Sequence, residues 1–286
     1  MTIESPMGKI LDGKVALVTG GGGGFGRLCA RLFAAAGASV VVAERSADRM
    51  NETVQLVQDA GCPAVGVLTD VSVEDQVREA VATAEREFGG LDIMMNNAGI
   101  SPPPGLPIEE ITEAQWDSVI DVNLKGAFFG CKHATSALRR RGGGAILNIS
   151  SGASLAAYPG VPVYSASKGG MNALGRSLAI DLGKHNIRVN TLCPSGGMSA
   201  NMLLDRDAPQ VDEDSQWKDW DPSTFYAPLW RDRPPRMIDH ANVALFLVSP
   251  AAGYLTGVAL ASDGGMAAKA AVDVGKLLEN WSTVAE

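Results

Sequence analysis

The chain has 286 residues, 46% of them hydrophobic and 20% charged, with a net charge of −8. Those values suit a soluble globular protein, either one large α/β domain or two smaller ones, whose core needs no disulfide or metal staple. The acidic balance argues against a nucleic-acid partner, whose footprint would be basic.

Cys29, Cys62, Cys131 and Cys193 are scattered without a C-x-x-C pair, as expected for free thiols in a reducing, cytoplasmic setting. His133, His185 and His240 lie far apart without ligand spacing, so no metal site is expected. The opening MTIESPMGKILDGK lacks the apolar run of a secretory signal. The uncharged stretch Ala241 to Ala261 has the length of a membrane span, but Ser249-Pro250 and Gly253 break it. A buried helix followed by a buried strand explains it better.

In chain order, Val15 to Thr19 reads as an apolar strand, followed by the turn Gly20-Gly21-Gly22-Gly23-Gly24-Phe25-Gly26. A helical run, Arg27 to Ala36, comes next. Strand, glycine turn and helix in that order cradle a phosphate: glycines admit the backbone and the helix N-terminus supplies N–H donors. Ser39 to Ala43 is the next strand and ends in Glu44, 20 residues after Gly24. A ribose-binding acid is expected there. Glu44 favours the 2′-hydroxyl of NAD, whereas Arg45 beside it would suit the 2′-phosphate of NADP or be a solvated surface charge. The glycine turn carries no Lys or Arg before Gly26, so NAD is the preferred expectation.

Helix Asn51 to Ala60, strand Ala64 to Leu68 and amphipathic helix Val73 to Phe88 follow, then strand Ile93 to Met95. Strands alternating with helices at this spacing predict a doubly wound parallel sheet of about seven strands flanked by helices. Ligands of such a sheet sit at the strands' carboxyl ends. Glu44, Asp70, Asn97 and Ser151 all lie just past predicted strand ends, which places them at one site. Asp70 or Asn97 taken singly reads equally well as a helix cap or turn residue.

A Pro-rich loop, Ser101 to Pro107, leads into a helical stretch from Thr112 to Arg141. Asn123 and Gly126 interrupt its propensity and predict a kink with a polar task for Asn123, the alternative being a surface Asn. Ala145 to Ile149 is a strand that ends in Ser150-Ser151-Gly152. Tyr164 and Lys168 then stand one helical turn apart on one face of a helix running to about His185. A Lys ammonium beside a Tyr favours the phenolate and lowers the phenol's pKa. Tyr164 can then exchange a proton with an alcohol or ketone oxygen, and Ser151 can hydrogen-bond the same oxygen.

Strand Arg188 to Leu192 ends in Cys193-Pro194-Ser195-Gly196-Gly197. Residues 199–236 hold Trp217, Trp220, Phe225, Tyr226 and Trp230 among charges and prolines, and read as a substrate lid. Its aromatics either line an apolar pocket or pack the lid onto its own domain. Helix Asp239 to Val248, strand Val258 to Ala261 and a tail over 267–286 complete one expected domain spanning 1–286.

Taken together, Thr19-Gly20-x-x-x-Gly24-x-Gly26, Asn96-Asn97-Ala98-Gly99, Asn123, Ser151 and Tyr164-x-x-x-Lys168 resemble the short-chain dehydrogenase/reductase family. Lys14 to Gly20, Arg188-Val189-Asn190 and Asp263-Gly264-Gly265 fit it too, and the resemblance covers about Leu11 to Met266. It implies one Rossmann-type domain and NAD(P)-dependent exchange between alcohols and carbonyls. Tyr164 would be the acid/base, and Lys168 would hold the nicotinamide ribose and tune Tyr164. Ser151 would position the substrate oxygen, and Asn123 would support a water link to Lys168. Gly20, Gly24, Phe25, Gly26, Glu44, Arg45, Asp70, Val71, Asn97, Gly99, Tyr164, Lys168 and Pro194 would contact the cofactor, with Asp70 and Val71 at the adenine. The family is commonly tetrameric or dimeric through the helices containing Asn123 and Tyr164.

The chain departs from the family pattern after the sixth strand, where Pro194-Ser195 stands in place of Pro-Gly and Ser199 in place of a Thr. The long lid resembles that of relatives acting on bulky cyclic substrates. The expected function is NAD-dependent hydride transfer between the nicotinamide and a hydrophobic, cyclic secondary alcohol or ketone. Steroid-like, terpenoid-like and cyclic-diol-like molecules are the candidates. An NADP-dependent carbonyl reductase and a non-catalytic dinucleotide-binding protein are the alternatives. An epimerase or dehydratase is disfavoured by the compact C-terminus.

Overall fold

The computed structural model describes residues 3–101, 105–156, 158–198, 220–221, 229 and 233–268. Seven strands form one parallel sheet in the order β3-β2-β1-β4-β5-β6-β7. In chain order they are β1 (Val15–Thr19), β2 (Ser39–Glu44), β3 (Ala64–Leu68), β4 (Ile93–Asn96), β5 (Gly144–Ile149), β6 (Ile187–Pro194) and β7 (Ala259–Ser262). The helices are α1 (Gly24–Ala35), α2 (Ala47–Gln58), α3 (Glu74–Phe88), α4 (Glu113–Ile120), α5 (Gly126–Arg140), α6 (Pro162–Gly183) and α7 (Met237–Val248).

The central strands are apolar on both faces because helices cover both. Ala16, Val18, Val40, Val42 and Leu147 join a core under α1 and α7 that includes Phe33 and Leu245. The alternate residues Val15, Leu17, Val41 and Ile146 join a second core under α3, α5 and α6. The strand order reverses between β1 and β4, which opens a crevice at their carboxyl ends.

Strand positions agree with the sequence reading to within a residue or two, while helix starts move more. α1 begins at Gly24 rather than Arg27, and α2 at Ala47 rather than Asn51, just after Ser46. Arg188 closes one end of α7: its guanidinium donates to Leu247 O at 2.7 Å and Ser249 O at 3.1 Å. These are carbonyls at the negative end of the helix dipole.

The predicted kink is a π-helical segment, Asp121–Lys125, between α4 and α5. Thr112 starts α4 with a capping box to Gln115. The wider turn lets Asn123 point inward, fully buried. Gly126 then packs on Val71, where a Cβ would lie 2.9 Å from Val71 Cγ2.

Most of the expected lid lies outside the described residues, including Ser199, Trp217, Phe225, Tyr226 and Trp230. So does residue range 269–286 of the expected tail.

Candidate active site

The glycine turn is shaped by contact with its neighbours. Gly20 and Gly24 adopt left-handed backbone, with φ of 63° and 47°. A Cβ on Gly26 would fall 2.1 Å from Gly20 O, so the first turn of α1 presses directly on the loop. Phe25 points away from the crevice into the core. Arg27 Nε donates to Gly22 O at 3.1 Å and to Thr53 Oγ1 at 3.0 Å, tying the turn to α2. This arrangement fits a pyrophosphate: glycines leave space over α1, and the helix N-terminus faces that space.

Two strand-end side chains brace the turn. Asn97 Nδ2 donates to Thr19 O at 2.9 Å and Gly20 O at 3.2 Å. Thr19 Oγ1 in return accepts from the N–H groups of Asn97 at 3.0 Å and Ala98 at 3.1 Å. Asn97 therefore staples β1 to β4, beyond the cap or turn role that its isolated position allowed. The Glu44 carboxylate accepts three backbone N–H groups, from Gly22 at 3.1 Å, Arg45 at 2.9 Å and Ser46 at 3.2 Å. It stands fixed at the end of β2 against the glycine turn, while the Arg45 side chain is exposed. Asp70 accepts from the Ser72 N–H at 2.9 Å and hydroxyl at 2.6 Å, shaping the turn before α3. Val71 is buried beside it.

On the other side of the crevice, four predicted residues meet. α6 carries Tyr164 and Lys168 one turn apart, with Lys168 Nζ 5.6 Å from the Tyr164 ring centre. Lys168 is buried and donates to Ile149 O at 2.8 Å, which anchors it to the end of β5. Ser151 follows that strand and hydrogen-bonds the Tyr164 phenol. Asn123 Oδ1 accepts from Ile100 N at 2.8 Å, and its Nδ2 donates to Ile100 O at 2.9 Å and Ser167 Oγ at 3.1 Å. Gly99 lies between them: a Cβ there would be 3.3 Å from Lys168 Nζ and 3.5 Å from Asn123 Oδ1. Pro194 ends β6, buried, and pairs with Ser262 on β7.

Burial sets the electrostatics. It pushes Lys168 down to about 8, by removing water that would solvate the ammonium. It raises Tyr164, against the opposing hydrogen bond from Ser151. The sequence expectation was a Tyr164 lowered by Lys168. Desolvation of the buried phenol dominates instead, and the hydrogen bond that opposes it comes from Ser151.

Sequence reasoning missed three polar ties around this cluster. Ser150 Oγ donates to Lys168 O at 3.0 Å, binding strand end to helix. Tyr158 donates to Ser195 Oγ at 3.1 Å. His240, buried on α7, has Nε2 2.7 Å from Gly196 O and Nδ1 2.8 Å from Ser262 Oγ. Because a carbonyl only accepts, Nε2 carries the proton, and the Ser262 hydroxyl can donate to Nδ1. No motif spacing marks these pairs, although Tyr158 and His240 are visible as isolated polar residues.

Residues 14–210 match the family model described as short chain dehydrogenase. The chain belongs to the short-chain dehydrogenase family. It is 36% identical to (+)-borneol dehydrogenase 2 of Salvia officinalis over 269 residues, covering 92% of this chain and 93% of that protein. It is 34% identical to cis-4-hydroxycyclohexanecarboxylate dehydrogenase of Sinomonas cyclohexanicum over 269 residues, covering 92% of this chain and all of that protein, at 100%. A crystal structure from Sinorhizobium meliloti 1021, described as that of a short-chain alcohol dehydrogenase, superposes with a TM-score of 0.78 at 35% identity. That match covers 93% of this chain and 100% of the other. The chain is therefore an oxidoreductase of a family that uses nicotinamide cofactors. Among the described residues no helix is long and apolar enough to cross a membrane, and no cluster of metal-ligating side chains occurs.

Proposed function

We propose that the protein catalyses reversible, NAD-dependent oxidation of a hydrophobic cyclic secondary alcohol, with Tyr164 as acid/base. The observation that carries this is the Ser151–Tyr164 hydrogen bond, with the Lys168 ammonium beside the ring at the sheet's carboxyl edge. When bound, the nicotinamide supplies the hydride acceptor or donor. The chain's own residues handle the proton. Ser151 holds the substrate oxygen, and Tyr164 takes a proton from it as phenolate or gives one to it as hydroxyl. Lys168, still cationic below about pH 8, offsets the cost of the buried phenolate. Asn123 holds the backbone of Ile100 and faces Gly99 beside Lys168, which suits it to a water link there.

Glu44 supports NAD over NADP. Its carboxylate is already oriented by three backbone donors, so a ribose hydroxyl finds an acceptor and a 2′-phosphate finds an anion. The runner-up, an NADP-dependent carbonyl reductase, would require the exposed Arg45 to turn onto that phosphate. At the start of α6, Leu106, Ile111, Gln115, Gly160, Val161, Pro162 and Val163 line a crevice only about the size of a water molecule, too small for a cyclic substrate. Both named relatives are dehydrogenases whose names carry cyclic alcohols, which favours a cyclic alcohol as substrate. Free cysteines fit a cytoplasmic setting. Exposed Trp116, Phe128 and Ile180 on α4, α5 and α6 favour a homotetramer or dimer through those helices.

The test is a panel of cyclic and open-chain secondary alcohols with NAD and with NADP, read as reduced nicotinamide absorbance. Turnover of apolar cyclic alcohols with NAD is expected. Turnover with NADP alone would overturn the cofactor assignment, and cofactor binding without turnover of any member would favour a non-catalytic binding protein.

A further inference from the structure

The loop after β6 opens on Ser195, followed by Gly196 and Gly197. The carboxyl ends of β5 and β6 are neighbours: Ile149 pairs with Leu192, and Ser150 N donates to Leu192 O at 2.7 Å. Ser151 and Ser195 therefore leave the same edge of the sheet side by side. A dinucleotide with its pyrophosphate on α1 and its adenosine at Glu44 has its other end on this side of the crevice.

Ser195 is nearly buried, and its side chain occupies space that only a glycine neighbour could leave. A Cβ on Gly152, the residue after Ser151, would fall 1.7 Å from Ser195 Oγ and 3.0 Å from Tyr158 Oη. Tyr158 Oη donates to Ser195 Oγ at 3.1 Å and lies 3.4 Å from Met266 Sδ. Tyr158 is also close enough to Tyr164 to interact with it electrostatically.

The backbone around Ser195 is held separately. Ser195 N donates to Ser262 O at 3.0 Å, and Gly196 O is held by His240 Nε2 at 2.7 Å. Gly196 and Gly197 take left-handed backbone, with φ of 72° and 63°. A Cβ on Gly197 would meet the Pro235 backbone at 2.7 Å. Thus β7 and α7 fix one side of the loop, and the Tyr158–Ser195 bond fixes the side facing Ser151.

We propose that Tyr158 and Ser195 are a positioning pair that sets the loop after β6 against the nicotinamide end of the cofactor. Neither hydroxyl needs to move a proton. Their bond is a fixed tie between the loop after β6 and the segment that leads into α6. The inference rests on the NAD reading above.

The experiment titrates NAD and ADP-ribose, which lacks the nicotinamide ring, into wild type, Tyr158→Phe, Ser195→Ala and the double variant by calorimetry. Each single variant is expected to weaken NAD about three- to tenfold, the range of one neutral hydrogen bond. ADP-ribose should bind all four proteins equally. The double variant should bind NAD no more weakly than the worse single one, because the same bond is lost. Unchanged NAD binding in both single variants would overturn the pair. Equal weakening of NAD and ADP-ribose would also overturn it, as general loosening of the fold. A wild type that binds NAD no better than ADP-ribose would overturn the nicotinamide placement itself, and the pair's role with it.

Discussion

The two halves of the crevice are built by different means. Around β1 and β2, polar groups satisfy one another through backbone: Glu44 on three N–H groups, Asn97 on two carbonyls, Arg27 on Gly22. The packing there is tight, at positions such as Gly26 where no side chain fits. Around β5 and β6, buried titratable side chains are displaced from their ordinary ranges, Lys168 downward and Tyr164 upward. Changes in the first half should alter which ligand binds. Changes to Tyr164 and Lys168 in the second should alter rate and pH dependence.

The largest expected effect lies in the second half. Tyr164→Phe should lower kcat by about 10² to 10⁴, the usual worth of a general acid–base group, and leave the NAD dissociation constant near that of wild type. A variant that keeps more than roughly a tenth of wild-type kcat would remove Tyr164 from the acid/base role.

Glu44→Ala sharpens the contrast from the other side. Two facing anions cost several kcal/mol, so the NAD/NADP ratio of kcat/KM should narrow by about tenfold or more, chiefly through better use of NADP. Comparing both cofactors in both proteins checks this. A wild type that already prefers NADP would transfer the role to Arg45.

Lys168→Met should shift the pH–rate profile toward higher pH, because the cation that favours the phenolate is gone. It also has a signature in stability. Lys168 releases its proton at about 8 when folded and near 10.5 when unfolded, so the folded state binds fewer protons between those values. Stability therefore rises with pH across that window in wild type. Thermal melts across it should show this contribution in wild type and not in Lys168→Met. Tyr164, raised by burial, acts in the opposite direction above its ordinary value of 10 in both proteins.

The smallest effect concerns His240. Burial lowers its pKa from 6.5, although Asp239 and Asp263 and the Gly196 carbonyl favour the charged form. The unfolded state then takes up a proton that the folded state resists, so stability is lost as pH falls below about 6.5. His240→Gln should flatten that acid limb in melting experiments, and an acid limb as steep as in wild type would contradict it.

Much of this was legible in the sequence because parallel strands covered on both faces read as unbroken apolar runs, such as Val15 to Thr19. Residues at their ends, including Glu44, Asn97 and Ser151, therefore fell at one place. Tyr164 and Lys168 were legible through helical period. Helix starts were not: Gly24 reads as turn, yet it opens α1 because the glycine turn runs directly into the helix. The elevated Tyr164 pKa was also hidden, since burial depends on the whole fold rather than on the neighbouring lysine. Tyr158 with Ser195, and His240 with Gly196, pair across 37 and 44 residues with no repeat or motif to join them.

The most direct test of the central claim is isotope transfer from a cyclic secondary alcohol deuterated at its carbinol carbon. Wild type should deliver the deuterium to the nicotinamide of NAD, and Tyr164→Phe should do so at least about a hundredfold more slowly. A product nicotinamide without deuterium, or a Tyr164→Phe protein that transfers it at the wild-type rate, would contradict the account.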